Sequence, residues 1–471
     1  MGKTKIVVTI GKSTNTKEKM RNLVLEGTDV IKINMDENDY EFCDSVLDTL
    51  DEVNKELNTN VAVMLDINAN CMKIDLINNN EASLESNSII RIYSSNILGD
   101  ETKFSVNYSK IIDDLDIGSI ITVDNGSLEL SVIEKNYEYL KCKVMKAGTI
   151  YSNSIIHVIG IKPSTSFLNE KGKKDILYAI NKNIDYIAMS FVNSYEDILE
   201  VNDMLIELGN DHIGIISKIE TESSVEDIDE IIKVSDGVII ARGDLGVEIP
   251  PERIPGIQKS IISKCHMAGK ISIVATELIP SMEENLTPTR AEVSDIANAV
   301  LDGVDAIILS RETSNGLYPI ETINSVEKVI TSAEEGIDYM SLLDKAARTE
   351  KQDTTGEISY SVATLAYRLK SKAIVCPTIS GYTAKKISRF RPNSFIVAIS
   401  NNIQTVKSLS LYFGVVPVLV SEMKSLDVMI DKSREIAISK LNLEEKDKII
   451  ITGGYPFKEV KHTNFIKVEE I

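Results

Sequence analysis

The sequence predicts an α/β protein built on a (β/α)₈ barrel (TIM barrel), with a small inserted β-barrel domain and a C-terminal domain that holds an open α/β sheet. Three observations predict this fold class. Eight short apolar runs alternate with amphipathic stretches, a strand-rich segment interrupts the alternation, and four further apolar runs follow it. At 471 residues, the chain also exceeds the size at which one core keeps growing, so several domains are expected.

The eight runs have the length and composition of buried strands. They are KTKIVVTI (3–10), VIKINM (30–35), VAVMLDI (61–67), YIAMSF (186–191), IGIISKIE (213–220), GVIIARG (237–243), ISIVATE (271–277) and AIILSRE (306–312). Each is apolar on both faces, as a strand covered by helices must be. Because amphipathic segments such as EDIDEIIKV follow most of them, the pattern predicts a barrel over residues 1–69 and 166–340.

The remaining segments predict two further domains. Residues 70–165 contain strand-like runs such as SIIRIYSS and a hairpin-like turn at Asp124-Asn125-Gly126, so we expect a small β domain inserted as a lid. The charge-rich LLDKAARTEKQDTTGE (342–357) is predicted to be a linker. Beyond it, KAIVCPT, FIVAIS, VVPVLV and KIIITGG alternate with helical segments, which predicts an α/β domain over residues 346–471.

Composition excludes several classes of partner. The formal net charge is −20 and no Lys/Arg-rich block occurs, whereas a nucleic-acid-binding protein needs a basic face to displace counterions. The five cysteines form no CxxC pair, which is typical of a reduced intracellular chain. No run approaches the length of a membrane span, and no N-terminal signal pattern is visible. We expect a cytoplasmic protein with neither nucleic acid nor membrane as partner.

Polar residues stand where the predicted strands end. In a (β/α)₈ barrel the catalytic groups come from the C-terminal ends of the strands. One polar strand end is ordinary turn chemistry, but a ring of them around one mouth indicates a site. The ring consists of Lys32, Asn34, Asp66, Ser190, Lys218, Glu220, Arg242, Asp244, Thr276, Glu277 and Glu312.

Two carboxylates of this ring suit a hard cation. Glu220 and Asp244 follow neighbouring strands with no histidine nearby, and Mg²⁺ or Mn²⁺ is held by oxygen ligands of this kind. The alternative is a pair of carboxylates tied to Arg242 and Lys218. Lys218 lies two residues before Glu220 and so faces the same side of a strand. Its ammonium can hold a negative oxygen of a carbonyl-derived substrate or of a phosphoryl group in transfer, in preference to forming a Schiff base.

Two other features carry weaker signals. Thr276 offers a hydroxyl that could position a water or a substrate carboxylate, although an exposed threonine at a strand end is common. In the C-terminal domain, hydroxyls and backbone amides between a predicted strand and helix suit a phosphate, with an ordinary helix N-cap as the alternative. A ligand there would be an effector. The candidate residues are Thr378, Ser380, Gly381 and Thr383.

Several long motifs resemble the pyruvate kinase family over essentially the whole chain. They are KIETE, ARGDLGVEI, IQKSIISKC, PTRAEVSDIANAVLDGVDAIILS and the ET…YPIE run. The resemblance implies a glycolytic enzyme that transfers the phosphoryl group of phosphoenolpyruvate to ADP, giving pyruvate and ATP, with Mg²⁺ and usually K⁺. It further implies a homotetramer and a sugar-phosphate effector.

The resemblance also implies roles for individual residues. Lys218 would steady the phosphoryl group and the enolate, with Thr276 as the second catalytic residue, and Glu220 and Asp244 would be the Mg²⁺ ligands. The substrate would be bound by Lys32, Lys218, Gly243, Asp244 and Thr276, the nucleotide by Asn34, Lys73 and Lys171, and K⁺ by Asn34, Asp36, Asp66 and Ile67.

The other half of the mouth departs from the family pattern. The usual R-x-N-x-S-H reads KINMDE, with Lys32, Asp36 and Glu37, and the usual D-T-K-G-P-E-I-R reads DINANCMK, with Ile67 and Lys73. Glu277 replaces a glutamine, Arg311 replaces a glycine, and the glycine-rich effector loop has become GGYPFKEVKHTN. An Arg-to-Lys change keeps the charge but loses bidentate phosphate recognition.

These departures leave alternatives open. A Mg²⁺-dependent lyase or decarboxylase acting on an oxo-acid would keep the enolate-stabilising residues and relax the nucleotide half, and a catalytically impaired phosphometabolite-binding homologue would do the same. Asp36 and Asp66 together bring excess negative charge to the potassium site, and two close carboxylates need a counter-charge to stay ionised. We expect an internal cation, Lys32 or Lys73, in place of K⁺; the alternative is a tighter K⁺ site.

Overall fold

A computed structural model describes residues 2–124, 126–210, 212–348, 353–421, 426–455 and 462–471. The first part of the chain alternates strands and helices. Its elements are β1 (Lys5–Thr9), α1 (Lys17–Leu25), β2 (Val30–Asn34), α2 (Tyr40–Leu57) and β3 (Ala62–Ile67). The three strands are parallel neighbours. Asp39 starts α2 by accepting a hydrogen bond from the backbone N–H of Phe42, as an N-cap residue does.

The segment after β3 is rich in strands, as predicted. Its elements are β4 (Glu81–Leu84), β5 (Ile89–Tyr93), β6 (Lys103–Ser105), α3 (Ile111–Asp114), β7 (Ile120–Val123), β8 (Leu128–Lys135), β9 (Tyr139–Lys146), β10 (Gly148–Tyr151) and β11 (Ile156–Val158). Strand β10 pairs with β4, and the other six form a sheet in the order β11-β7-β8-β9-β5-β6. Strands β7 and β8 are antiparallel, while Asn125 of the predicted turn lies outside the described residues. Partly exposed and buried residues alternate along β9, because one face of the sheet covers the core of this domain and the other faces solvent.

The next part completes the barrel. Its elements are α4 (Glu170–Asn181), β12 (Tyr186–Met189), α5 (Tyr195–Glu207), β13 (Gly214–Ile219), α6 (Glu222–Glu226), α7 (Ile228–Val234), β14 (Gly237–Ala241), α8 (Arg242–Glu248), α9 (Ile254–Ala268), β15 (Ile271–Ala275), α10 (Arg290–Leu301), β16 (Ala306–Leu309), α11 (Arg311–Ser314) and α12 (Pro319–Glu334). Eight parallel strands close in the order β1-β16-β15-β14-β13-β12-β3-β2. The predicted (β/α)₈ barrel is confirmed.

The last part is an α/β domain. Its elements are α13 (Tyr339–Ala347), α14 (Thr354–Leu369), β17 (Ala373–Pro377), α15 (Tyr382–Arg389), β18 (Phe395–Ser400), α16 (Ile403–Lys407), β19 (Val415–Leu419), α17 (Leu426–Leu441), β20 (Lys448–Gly453) and β21 (Phe465–Glu470). The sheet runs β19-β18-β17-β20-β21, and only its last pair is antiparallel. Among the described helices, none is long and apolar enough to cross a membrane.

The predicted linker is a correction. Residues 342–357 were predicted to be a linker because they are charge-rich, yet α13 and α14 occupy much of this stretch; residues 349–352 lie outside the described part of the chain. The reason is packing at a distance in sequence. Leu343 is buried in a cluster with Phe390 of the C-terminal domain, so an apolar helix face packs against that domain where the local composition indicated a linker.

The barrel and the C-terminal domain share buried contacts. Arg391 forms a bidentate ion pair with Asp305, with Nη1–Oδ1 and Nη2–Oδ2 distances of 2.7 and 2.8 Å. Both side chains are buried. Asp305 also accepts hydrogen bonds from the N–H and hydroxyl of Ser272, and Tyr186 donates its hydroxyl to the carbonyl of Ser408 at 2.7 Å. The contact therefore joins the start of β16 to the C-terminal sheet through a desolvated ion pair.

We predict that Arg391→Met lowers stability by about 3–5 kcal/mol, because removing one partner of a buried ion pair leaves the other charge buried and unpaired. A matched control is Lys55→Met, which breaks an exposed pair with Asp51 within α2 and should cost at most about 0.5 kcal/mol. Thermal unfolding of both variants, with the wild type alongside, checks this. Equal midpoints for the two variants would contradict the prediction.

Candidate active site

The polar ring meets at the C-terminal mouth of the barrel, but several members lie beyond the strands. Strand β14 ends at Ala241, so Arg242, Gly243 and Asp244 form the first turn of α8 and not the strand end that the sequence predicted. The pairing of β14 with its neighbour β15 ends at Ala241 and Ala275, and α8 begins at the next residue, Arg242.

Lys218 lies at the centre of the mouth. Its ammonium contacts Asp66 Oδ1 at 3.2 Å, Ser190 Oγ at 2.8 Å and Glu220 Oε1 at 2.9 Å. Burial alone would lower the pKa of Lys218, but the negative charges of Asp66, Glu220 and Asp244 outweigh it and raise that pKa well above its usual value. The lysine is therefore a fixed positive charge in a site from which water is largely excluded.

The two proposed metal ligands flank this lysine. Glu220 is almost fully buried and accepts a hydrogen bond from the backbone N–H of Phe191 at 2.7 Å. Burial and mutual repulsion with Asp244 raise the pKa of Glu220, although Lys218 opposes the shift. The pKa of Asp244 is also raised by burial. Two desolvated carboxylates that repel each other form a donor set that a divalent cation would stabilise.

Thr276 lies in a strained turn that follows β15. Thr276 and Glu277 have φ angles of 65° and 54°, in the left-handed region that non-glycine residues seldom adopt. Arg242 holds this turn: its Nη2 donates to the carbonyls of Thr276 and Glu277 at 2.9 Å each, and its Nη1 contacts Asp295 at 2.7 Å. The Thr276 hydroxyl accepts from the backbone N–H of Gly243 at 2.8 Å, which leaves its own O–H to donate.

A second buried pair adjoins Lys218. Lys32 of β2 contacts Asp66 Oδ2 at 2.7 Å, and both residues are buried. Burial would raise the pKa of Asp66, yet Lys218 and Lys32 together hold it well below its usual range. Asp66 therefore stays ionised between two lysines. In contrast, Glu312 folds back onto its own loop and accepts from the backbone N–H of Ser310.

Asp36 is enclosed by donors in the same way. It contacts the ammonium groups of Lys73 at 2.9 Å and Lys171 at 3.0 Å, and Asn68 donates to it at 2.8 Å. Burial would raise the pKa of Asp36, but the two lysines lower it. Lys171 also contacts Asp175 at 3.0 Å. The structure thus brings two of the three predicted nucleotide-binding residues, Lys73 and Lys171, together on one carboxylate.

The oxygens predicted to hold K⁺ all have donors from the protein. Asp36 and Asp66 are paired with lysines, as described above. The side-chain oxygen of Asn34 accepts from the N–H of Asp36 at 3.0 Å, while its amide group donates to Glu37. The carbonyl of Ile67 accepts from the N–H of Ser190 at 3.0 Å. Every member of the predicted set is therefore satisfied internally.

The candidate effector residues lie between β17 and α15. Thr378 accepts from the N–H of Gly381, which has a left-handed φ of 76° at the start of the helix. Thr383 exchanges a hydrogen bond with Thr463. Much of the loop GGYPFKEVKHTN, residues 456–461, lies outside the described part of the chain. The hydroxyls of Thr378 and Thr383 thus have partners within the protein.

Sequence reasoning missed three contributions to this site. Asn68 and Asp175 complete the cluster around Asp36. Arg242 contacts the carbonyls of the Thr276 turn directly, and Asp295 of α10 pairs with the same guanidinium. The partners of Asp36 are distant in sequence, so no local pattern announces them. The signal for Arg242 was present, since an arginine directly after an apolar strand needs a nearby acceptor, but its acceptors come from the following strand and helix.

The geometry defines an enzyme class: a (β/α)₈-barrel enzyme with an inserted β domain, a desolvated lysine and a pair of carboxylates at its mouth. Profiles of two families match the chain, "Pyruvate kinase, barrel domain" over residues 1–323 and "Pyruvate kinase, alpha/beta domain" over residues 356–469. The chain belongs to the pyruvate kinase family, and the predicted fold and function are confirmed. It is an enzyme, a phosphotransferase.

Individual pyruvate kinases are similar to this chain over nearly its whole length. The chain is 36% identical to a pyruvate kinase of Sporosarcina psychrophila over 473 residues, covering 100% of this chain and 81% of the relative. It is 37% identical to a pyruvate kinase of Staphylococcus aureus (strain MRSA252), covering 99% and 80%. The crystal structure of a pyruvate kinase from Cryptosporidium parvum superposes with a TM-score of 0.94 at 32% identity, covering 100% of this chain and 96% of the other.

Proposed function

We propose that the mouth of this barrel transfers the phosphoryl group of phosphoenolpyruvate to ADP, giving pyruvate and ATP. The observation that carries the proposal is the Lys218 ammonium, held between Asp66 and Glu220 in a buried site. A fixed positive charge in such a site stabilises negative charge on a transferring phosphoryl group or an enolate. The residues that depart from the family pattern, Lys32 and Lys73, keep a positive charge at their positions, so the anionic substrates still meet cations.

The donor set fits a divalent metal. Among the described residues, no group of three or more His, Cys, Asp or Glu side chains could hold a metal, so Glu220 and Asp244 would share the ion with substrate oxygens and water. Mg²⁺ sites in phosphoryl-transfer enzymes characteristically use one or two carboxylates. When bound, Mg²⁺ or Mn²⁺ supplies Lewis-acid stabilisation of phosphoryl and enolate oxygens.

The protein's own residues do the remaining work. The hydroxyl oxygen of Thr276 accepts a hydrogen bond from the backbone N–H of Gly243. The O–H group of Thr276 would donate to the carboxylate of the substrate and orient it. Lys218 would hold the charge that develops as the bond to phosphorus breaks. Lys73 and Lys171 would meet the phosphates of the nucleotide after exchanging their contacts with Asp36. Four points remain predictions: a sugar-phosphate effector at Thr378–Thr383, a homotetramer, a cytoplasmic location and the domain boundaries given above.

The lyase alternative has one observation in its favour. Lys218, Glu220, Asp244 and Thr276 suffice to stabilise an enolate, whereas the nucleotide lysines are occupied by Asp36. A coupled assay with phosphoenolpyruvate and ADP, run beside an assay with oxaloacetate alone, separates the two reactions. Turnover of phosphoenolpyruvate supports the proposal; decarboxylation of oxaloacetate without it would favour the lyase.

We predict that Lys218→Met lowers turnover of phosphoenolpyruvate by at least about 10³-fold, because an oriented cation at developing charge is worth several kcal/mol in a dry site. Binding of Mn²⁺, followed by electron paramagnetic resonance, should change little, since this lysine is not a ligand. Lys233→Met, which removes an exposed lysine from α7, is the matched control. Turnover of Lys218→Met within about tenfold of wild type would remove Lys218 from the mechanism.

We predict that Glu220→Gln and Asp244→Asn raise the Mn²⁺ or Mg²⁺ concentration for half-saturation by at least about tenfold, because each removes a charged oxygen from a sparse shell. Glu222→Gln, two residues further on and paired with Arg253, is the control and should bind metal like wild type. Direct Mn²⁺ titration checks this independently of activity. Wild-type titration curves for both variants would show that the two carboxylates are structural.

We predict that activity persists when K⁺ is exchanged for a bulky tetraalkylammonium ion at constant ionic strength. The reason is that the oxygens of the potassium set already have protein donors, with Lys32 and Lys218 on Asp66 and Lys73 and Lys171 on Asp36. Asp36→Ser, which releases Lys73 and Lys171, should disturb this independence. A rise of about tenfold or more in the wild-type rate on restoring K⁺ would contradict the internal cations and favour a tighter potassium site.

A further inference from the structure

Ser190 is a buried residue of the polar ring that has no role in the reaction described so far. It directly follows β12 and is 3% exposed. Its backbone N–H donates to the carbonyl of Ile67 at 3.0 Å, so the end of β3 fixes its position. A buried hydroxyl is normally hydrogen-bonded, and the partners of this hydroxyl are two charged side chains of the mouth, Asp66 and Lys218.

The directions of the two hydrogen bonds of Ser190 follow from the chemistry of its partners. Its Oγ lies 3.1 Å from Asp66 Oδ1 and 2.8 Å from Lys218 Nζ. An ionised carboxylate can only accept a hydrogen bond, and an ammonium can only donate one. The single hydrogen of the hydroxyl therefore points to Asp66, and the oxygen presents a lone pair to Lys218. The hydroxyl is thus an acceptor with a fixed orientation.

Within the described part of the chain, Lys218 contacts three acceptors, as many as an ammonium has N–H groups. Asp66 Oδ1 lies at 3.2 Å, Glu220 Oε1 at 2.9 Å and Ser190 Oγ at 2.8 Å from its Nζ. The two carboxylates attract the ammonium and also offset its charge, whereas the neutral hydroxyl directs the ammonium and leaves its charge intact. Ser190 is the nearest of the three acceptors, and it is the one without a charge.

The two carboxylates have other partners to serve during the proposed reaction. Asp66 also accepts from Lys32 at 2.7 Å through its second oxygen. Glu220, as a proposed metal ligand, would share its oxygens between the ion and Lys218, and an oxygen of the substrate would take over one N–H of the lysine. The contact with Ser190 is one that neither metal nor substrate would have to displace. It can therefore hold the ammonium throughout the reaction.

The next residue, Phe191, shows that the turn after β12 serves both functional side chains that follow one another on the neighbouring strand. Its backbone N–H donates to Glu220 Oε2 at 2.7 Å, and its carbonyl accepts from Asn193 Nδ2 at 3.0 Å. Its φ angle of 55° is left-handed, a conformation that persists only where the surroundings determine it. Ser190 thus contacts Lys218, and Phe191 contacts Glu220, from one fixed turn.

We propose that Ser190 is a positioning residue of the barrel mouth, and that its hydroxyl oxygen directs the ammonium of Lys218 toward the substrate oxygen on which the negative charge of the enolate develops. This role rests on the proposed function, in which Lys218 stabilises that charge. A charge that is already oriented needs no rearrangement while the reaction proceeds. Without the hydroxyl, Lys218 would keep its charge but would be drawn toward Asp66 and Glu220.

We expect Ser190→Ala to lower kcat with phosphoenolpyruvate and ADP by about 10-fold to 100-fold, the range for loss of a hydrogen bond to a charged group. The KM values should stay within about threefold of wild type, because the orientation of Lys218 matters mainly in the transition state. Ser190→Thr keeps the hydroxyl and should restore most of the rate. Ser190→Cys keeps the size but offers a weak acceptor, so it should behave like Ser190→Ala.

Ser217→Ala is the matched control. Ser217 directly precedes Lys218 on β13, is fully buried and hydrogen-bonds to Ser235 at 2.6 Å, away from the mouth. This variant should lose stability like Ser190→Ala in thermal unfolding and should keep the kcat of wild type. A kcat of Ser190→Ala within about twofold of wild type, or equal losses of kcat in both alanine variants, would overturn the positioning role.

A binding measurement tests the same role without turnover. Oxalate is a planar dianion that resembles the enolate of pyruvate, and calorimetry in the presence of Mn²⁺ measures its affinity. Ser190→Ala should bind oxalate about tenfold more weakly than wild type, and Ser217→Ala should bind it equally well. Equal oxalate affinities of Ser190→Ala and wild type would contradict the role of Ser190.

The wild type decides the proposed function separately. If it decarboxylates oxaloacetate without turning over phosphoenolpyruvate, phosphoryl transfer is contradicted, and the same variants are compared in the decarboxylation, which forms the same enolate. If it catalyses neither reaction, the proposed function fails, and the oxalate titrations decide the role of Ser190. A wild type that neither reacts nor binds oxalate would overturn both.

Discussion

The buried carboxylate of Asp66 is the interaction on which the barrel mouth depends. It lies at the end of β3 and is contacted by Lys32 of β2, Lys218 of β13 and Ser190 after β12. A carboxylate removed from water is costly unless it is paired, and loss of a partner in such a cluster costs about 3–5 kcal/mol. The cluster therefore fixes side chains on or directly after four neighbouring strands, β2, β3, β12 and β13, relative to one another. This gives the mouth its geometry before any ligand arrives.

The same cluster sets the charge that a ligand meets. Lys32 and Lys218 face three carboxylates, Asp66, Glu220 and Asp244, which leaves one negative charge in excess when all five are ionised. A bound divalent cation would reverse that excess to one positive charge, and an anionic phosphoryl compound would then be attracted instead of repelled. Burial is the main cause of the raised pKa values of both Glu220 and Asp244, and a neighbouring carboxylate adds to each: Asp244 raises the pKa of Glu220, and Asp66 raises that of Asp244. The charge of the mouth therefore favours binding of a divalent cation first, and the bound cation then favours binding of an anionic substrate.

The barrel and most of the polar residues at its mouth could be predicted from the sequence. Barrel strands are short runs, apolar on both faces, and polar residues follow them. The two-residue spacing of Lys218 and Glu220 predicted that both side chains face the same side. In the structure the two side chains are in contact, although Glu220 lies one residue beyond the end of β13. What failed depends on contacts between distant residues. The helices within 342–357 form because of a buried cluster with the C-terminal domain, and the role of Arg242 depends on Asp295 of α10. Local composition carries no information about either partner.

Arg242 also explains how the mouth tolerates its strained backbone. Two consecutive non-glycine residues, Thr276 and Glu277, have left-handed φ angles, a conformation that costs of order 1–3 kcal/mol for each residue and persists only where the surroundings determine it. The guanidinium contacts both of their carbonyls and Asp295 at once, and only a planar fork with several fixed donors can do this. The Thr276 hydroxyl is thereby held against the N–H of Gly243. Arg242, which directly follows an apolar strand, therefore supports the functional turn after the neighbouring strand. Its guanidinium acts on the site by holding the backbone of that turn.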